Sequence, residues 1–281
     1  MVHDDLGTRM KEFYEQVPKT RLVRRMPVAI RIDGKAFHTF TRGFRKPFDH
    51  ILIKTMQETT KYLCENIQGC VLGYTQSDEI TLILVDYQKL TSSAWFDYEV
   101  QKLCSISASM ATMAFNKFFA ENVANEILEY KTSMVPQCVE IQQEIKEYHN
   151  ILKAAVNKGA MFDARCFNIP KEEVTNLIYW RQLDATRNSI QMVGQANFSH
   201  KELQNKSCND IQDMLHEQKG INWNDYPTVC KRGTAVIKDG SLYTGSSLED
   251  GWHEGWKIDT EMPILKGEDR AYIDDLIYIG E

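Results

Sequence analysis

Two short acidic motifs, Asp33-Gly34 and Ser77-Asp78-Glu79, each interrupt a run of strand-forming residues. Residues 26–32 read as a short strand that ends at Asp33-Gly34, and the apolar runs 70–74 and 80–85 flank the polar stretch 75–79 as a hairpin flanks its tip. Taken singly, an Asp-Gly pair is ordinarily a turn and a Ser-Asp-Glu triplet an ordinary hairpin tip. Together they matter if the strands are neighbours, because two carboxylates at adjacent strand ends repel unless a cation or a proton lies between them. Oxygen donors from Asp33, Asp78 and the Gly34 carbonyl, with Glu79 as a further candidate, suit a hard ion such as Mg²⁺. A pair of such ions roughly 3.5–4 Å apart can activate an attacking hydroxyl and stabilise a leaving phosphate oxygen. The chemistry offered is phosphoryl or nucleotidyl transfer.

Cations for a polyphosphate are also at hand. Lys46 comes one loop after the first acid, in Phe44-Arg45-Lys46-Pro47, and Lys102 falls in a helical stretch with Ser105 close behind it. A lysine on a helix is ordinarily a solvated surface residue, so Lys102 carries less weight. Phe37 and His38, just past the Asp33 turn, could hold a base or ribose, or be a packed aromatic and a satisfied imidazole.

Pattern supplies the scaffold for these groups. Asp49 is an N-cap candidate for a helix over 50–67 with Ile51, Met56, Tyr62 and Leu63 on one face, stopped near Gly69. Later come a long helix over 95–121, a strand over 161–169 and a helix over 171–190, with Pro170 between the last two. The order strand, helix, strand, strand, helix, strand predicts an α+β, ferredoxin-like βαββαβ fold, with an antiparallel sheet and both helices on one face. In that arrangement Asp33 and Asp78, 45 residues apart, meet at adjacent strand ends. The expected organisation is a catalytic core over 1–121 and 161–237, a helical insertion over 122–160 and an acidic C-terminal extension over 238–281.

Composition excludes other classes. With 43% hydrophobic and 26% charged residues, 281 residues suffice for a packed core, and collagen-like or wholly disordered readings fall away. No apolar run reaches the roughly 18–20 residues of a membrane helix, and residues 1–5 show no signal pattern, so a cytoplasmic protein without membrane association is expected. Seven scattered cysteines with no C-x-x-C pair predict free thiols. Net charge is −6, yet residues 1–46 hold 11 Lys and Arg against 5 Asp and Glu. A basic end on an acidic body allows local contact with a polyanion.

Three blocks make a resemblance specific: Arg31-Ile32-Asp33-Gly34-Lys35-Ala36-Phe37-His38, Phe44-Arg45-Lys46-Pro47-Phe48-Asp49 and Gly73-Tyr74-Thr75-Gln76-Ser77-Asp78-Glu79. In this order they resemble the tRNA-histidine guanylyltransferase family. Phe162-Asp163-Ala164-Arg165, Tyr179-Trp180-Arg181-Gln182-Leu183-Asp184 and Lys231-Arg232-Gly233-Thr234 are similar to its later blocks. The resemblance runs over about 10–237 and implies a palm related to template-dependent polymerases, adding nucleotides 3′-to-5′ at the 5′ end of a tRNA.

Carried over position by position, the resemblance implies that Asp33, Gly34 and Asp78 hold two Mg²⁺ ions, with Glu79 beside them. It implies nucleotide contacts, with GTP, ATP and other triphosphates as substrates, from Lys35, Ala36, Phe37, His38, Lys46, Ser77 and Lys102. Arg24, Arg25, Arg187, Lys231 and Arg232 are the expected RNA contacts, and a homo-oligomer, a tetramer, is the expected assembly, for which the Met- and Phe-rich stretch 110–119 is a candidate. Two departures, Thr186-Arg187-Asn188-Ser189 after the Trp-Arg-Gln block and Tyr98-Glu99 before the helix lysine, resemble the bacterial and archaeal guanylyltransferase-like branch, associated with templated repair of 5′-truncated tRNA. A nucleotide cyclase sharing the same sheet, or a catalytically silent RNA-binding module, also fits these residues.

Overall fold

The computed structural model describes residues 5–132, 139–244 and 253–278. Its strands are β1 (Val28–Gly34), β2 (Cys70–Gln76), β3 (Glu79–Leu84), β4 (Phe162–Asn168), β5 (Thr234–Thr244) and β6 (His253–Asp259). The helices that shape the site are α1 (His50–Asn66), α2 (Val100–Thr132), α3 (Val139–Lys158), α4 (Lys171–Asn197), α5 (Cys208–Lys219) and α6 (Thr228–Arg232). Among the described residues the strands form one antiparallel sheet of order β4-β1-β3-β2-β5-β6. The chain is therefore α+β.

Alternation along β1 divides the molecule into layers. Val28, Ile30 and Ile32 enter a core shared with Met56 and Leu63 of α1 and Phe115 and Phe119 of α2. Ala29 faces the other way, onto Val174, Leu177 and Ile178 of α4. By the same alternation Arg31 and Asp33 lie on the α4 side. α1 starts where predicted because the buried Asp49 carboxylate accepts the N–H groups of Ile51 and Leu52 at 3.0 and 3.1 Å.

Three expectations need revision. The boundary at 121/122 falls inside α2, which runs unbroken to Thr132. The next helix, α3, places Tyr148, Leu152 and Ala155 in the main core, so 122–160 is part of the core layer; its charged outer face made it read as an insertion. The boundary at 238 falls inside β5, and the acidic tail is stitched in by β6 and by Met262, Leu265, Ile273 and Ile277, which bury against α4 and the sheet. Finally, the Met- and Phe-rich stretch is largely interior: Phe115 and Phe119 are fully buried, leaving Met113 as its exposed apolar residue. No helix among the described residues is long and apolar enough to cross a membrane.

Candidate active site

β2 and β3 are joined by the two-residue turn Ser77-Asp78, and β1 ends beside it. The Gly34 N–H donates to the Asp78 carbonyl at 3.1 Å, and Asp33 stands opposite Glu79 in the β1–β3 register. One backbone bond thus clamps the end of β1 to the hairpin tip, bringing the two acidic motifs together. Ser77 takes the left-handed conformation (φ 52°), rare for a residue with a Cβ, and its hydroxyl donates to the Asp78 carboxylate at 3.0 Å.

Both carboxylates bear the mark of this convergence. Burial raises the Asp78 pKa to about 6 despite the Ser77 hydrogen bond, and the neighbouring Asp33 and Glu79 charges add to the rise. Asp33 is also raised, by burial and then by the charges of Glu79 and Asp163, against the pull of Arg165 and Arg31. Crowded, partly dehydrated carboxylates are what a divalent cation relieves. Among the described residues no cluster of three or more acidic, His or Cys side chains is placed to hold an ion unaided. That donor set fits Mg²⁺, which takes one or two carboxylates and fills its octahedron with water and phosphate oxygens.

Glu79 is otherwise engaged. Its carboxylate accepts from the guanidinium of Arg181, which is 4% exposed, and from Arg31 at 3.5 Å and the Gln76 side-chain amide at 3.2 Å. Arg181 continues to Asp184 at 3.0 Å, which also pairs with Arg187. With one carboxylate oxygen, Oε2, taken by these donors, Glu79 serves as the anchor of an ion network behind Asp33.

In front of the acids opens a cleft of about 470 Å³, lined by Gly34, His38, Arg45, Lys46, Ser77 and Asp78 among others. Its rim is cationic opposite the carboxylates. Arg45 stacks on the Tyr148 ring at 4.0 Å and pairs with Glu126 at 3.4 Å. Its N–H and the Tyr148 hydroxyl both donate to Asp49, at 3.0 and 2.8 Å, so the N-cap of α1 also fixes the loop that carries Lys46.

Phe37 touches this cleft but is 5% exposed, packed with Phe40, Phe115 and Phe162 at ring distances of 5.1–5.5 Å. It is a wall of the core more than a surface for a base. A Cβ added at Gly34 would lie 2.2 Å from that ring, and the ring has nowhere to go. Gly34→Ala is therefore expected to cost roughly 1–3 kcal/mol of overpacking. It should lower the thermal midpoint by several degrees and pry β1 from the hairpin tip, as differential scanning fluorimetry and a nucleotide-binding titration would record.

The other sequence candidates divide. His38, Lys46, Ser77 and Ala36 line the cleft; Lys35 is exposed beside it, its N–H donating to the Met161 carbonyl at 2.8 Å. Lys231 and Arg232 lie on α6, a helical lead-in to β5. The Arg232 carbonyl accepts the Tyr74 hydroxyl at 2.6 Å, and Val229 and Cys230 of the same helix border a narrow pocket with Ser77. Arg187 is exposed on α4 and paired with Asp184.

Lys102, Arg24 and Arg25 are not brought to the acids within this chain. β3 runs from Glu79 beside Asp33 to Leu84 beside Val28, so the chain leaves it at the opposite end of the sheet. There Arg24 pairs with Asp97, the Arg25 N–H donates to Asp86 at 2.8 Å, and the Lys102 ammonium lies 5.5 Å from the Phe96 ring. Sequence reasoning gives no role to Arg45, Arg31 or Arg181; the basic residue beside Lys46 and the Trp-Arg-Gln block are the available signals.

Comparison with known proteins bears on family and fold. A family model described as tRNA-His guanylyltransferase matches residues 7–170. A bacterial tRNA(His) guanylyltransferase-like protein solved in complex with ATP is 40% identical, covering 98% of this chain and 100% of its own, with a TM-score of 0.78. One solved in complex with GTP is 38% identical at the same coverage, TM-score 0.73. The tRNA(His) guanylyltransferase of Saccharomyces cerevisiae is 25% identical over 76% of this chain and 84% of that protein.

Proposed function

The chain belongs to the tRNA-histidine guanylyltransferase family of nucleotidyltransferases, and on that basis we propose that it repairs 5′-truncated tRNA by templated 3′-to-5′ nucleotide addition. The observation that carries the reading is the meeting of Asp33 and Asp78 at adjacent strand ends, clamped by the Gly34–Asp78 backbone bond, beside a cleft rimmed by Arg45 and Lys46. In this reading the β1-α1-β2-β3-α2-β4 unit is the palm, and GTP, ATP and other nucleoside triphosphates are its substrates.

Arg45 and Lys46 hold the triphosphate by charge, Arg45 kept in place by Tyr148 and Glu126. Asp33, Asp78 and the Gly34 carbonyl would hold Mg²⁺, which when bound supplies positive charge for the leaving pyrophosphate and acidifies the attacking hydroxyl. The nucleotide's 3′-hydroxyl attacks the activated 5′ end of the RNA, expelling pyrophosphate from a triphosphorylated end or AMP from an adenylylated one. Pairing with the opposite acceptor strand selects the base, so the protein needs few base-specific contacts and grips RNA mainly through phosphate and shape. Its remaining partners are further copies of the chain, as a tetramer.

The test is incubation with 5′-triphosphorylated, 5′-truncated tRNA, Mg²⁺ and all four nucleotides. Added residues complementary to the acceptor strand support the proposal, whereas cyclic nucleotide formed without RNA, or RNA binding with no product, contradicts it.

Asp78 also confers a pH dependence. Its folded-state pKa of about 6 lies above the ordinary value of 3.8, so the folded chain holds a proton that the unfolded chain has released. The associated stability is present below pH 4 and is lost as pH rises through about 6, on the order of 3 kcal/mol for a shift of this size. Cation binding requires the ionised form and runs the other way. Thermal melts should show Mg²⁺ raising the midpoint by several degrees at pH 7.5 and hardly at all at pH 5; equal shifts at both pH values would contradict the assignment.

A further inference from the structure

On the α4 side of the sheet, the catalytic acids border a second surface that the nucleotide cleft does not use. Side chains paired across antiparallel strands share a face. Asp33 is paired with Asp163 and Arg31 with Arg165, so all four project on the side covered farther along by α4. Arg165 is 56% exposed and reaches 3.9 Å from the Asp33 carboxylate and 3.2 Å from Asp163. Beside them stands Trp180 of α4, half exposed, outside the apolar clusters of the core, with the guanidinium groups of Arg31 and Arg181 at 5.3 and 4.7 Å from its ring. Leu183 and Arg187, three and seven residues on, continue the exposed stripe.

A large aromatic ring left half in water, pinned by cations and adjoining a reactive centre, has the make-up of a stacking platform for a nucleobase. Arg165 supplies charge for a phosphate next to it. The carboxylate network behind, Glu79 and Asp184, is already neutralised by Arg31, Arg181 and Arg187, which leaves Asp33 and Asp163, both paired with Arg165, as the acids of this face.

We propose that Trp180 and Arg165 seat the 5′-terminal nucleotide of the RNA, its base stacked on the Trp180 ring and its phosphate on Arg165, across Asp33 from the nucleotide cleft. This deepens the reading of the chain as a 5′-end nucleotidyltransferase and rests on it. The triphosphate enters from the Lys46 side and the RNA end from the Trp180 side, so the acids stand between the two reactants.

The experiment is steady-state extension of a truncated, 5′-triphosphorylated tRNA by wild type, Trp180→Leu and Trp180→Phe. It is paired with fluorescence of an RNA carrying 2-aminopurine at its 5′-terminal position. Loss of one base–aromatic stack corresponds to about tenfold to a hundredfold. Trp180→Leu should therefore raise the KM for RNA at least tenfold, leave the KM for nucleotide within twofold and abolish the quenching seen with wild type. Trp180→Phe should restore both within about threefold.

If Trp180→Leu extends RNA with unchanged KM and unchanged quenching, the platform is overturned while the activity stands. If it loses affinity for both substrates together with thermal stability, and Phe does not rescue it, Trp180 is a packing residue and the assignment also falls. A wild type that extends no RNA at all removes this inference together with the function it rests on.

Discussion

Asp33→Ala and Asp78→Ala are each expected to abolish templated extension, a loss on the order of a thousandfold or more, while tRNA affinity stays within a few fold. The magnitude comes from what the carboxylates are asked to do. If they hold the charge that offsets a departing pyrophosphate, removing either withdraws several kcal/mol from the transition state, and about 1.4 kcal/mol is a factor of ten. The selectivity comes from role, since the acids are assigned to the metal at the reacting end while the grip on RNA is assigned to Trp180, Arg165 and the other cationic side chains. Neither variant should be less stable at neutral pH, because Asp78 carries a pKa raised by burial and Asp33 is raised in the same way. Asp78→Asn, which removes the charge and keeps the shape, should melt higher than wild type at pH 7.5 without Mg²⁺. Single-turnover extension with RNA binding measured in parallel reads both quantities; normal extension by either alanine variant would remove the metal-site assignment.

Arg181→Met is expected to lower stability most among single changes near the site. Arg181 is 4% exposed and bridges Glu79 and Asp184, whose side chains are 22% and 17% exposed. Removing the guanidinium leaves two poorly hydrated carboxylates behind Asp33 with Arg31 and Arg187 as their remaining cations. Breaking a buried pair in this one-sided way typically costs about 3–5 kcal/mol. Adding Glu79→Gln should recover a large part of the loss, because the destabilisation comes from the stranded charge and not from the missing contact. Denaturant unfolding of the two single variants and the double variant measures the coupling. Additive effects would show that Arg181 acts by packing alone.

The acids were legible in the sequence because their signal is local and the element order does the rest. Each ends or turns a strand, and strand-helix-strand-strand places those ends side by side. Lys46 was legible for the same reason, one loop after the first acid. Glu79 was legible as a position but not as a role: its partner Arg181 arrives 102 residues later, from a helix on the far face of the sheet, and no spacing rule connects them.

Lys102 illustrates the converse. The resemblance assigns it to the nucleotide, yet β3 carries the chain away from the acids before α2 begins, and its ammonium lies beside the Phe96 ring. Phe37 could have been a base-holding ring, but Phe40, Phe44, Phe115, Phe119 and Phe162, drawn from three separate stretches, join it in one aromatic core. In α3 the charges that suggested an appendage sit on the outer face, while Tyr148, Leu152 and Ala155, four and three residues apart, form the inner one. The tail hid its anchoring in the same way, four well-spaced apolar residues among acids.

Anomalous scattering from crystals grown with Mn²⁺ and a non-hydrolysable nucleoside triphosphate would test the metal site at its source. Ion density is expected between the Asp33 and Asp78 carboxylates, with the triphosphate running from it toward Arg45 and Lys46. Density confined to other sites, with the two carboxylates turned apart and the triphosphate elsewhere, would contradict the assignment and the nucleotidyl transfer built on it.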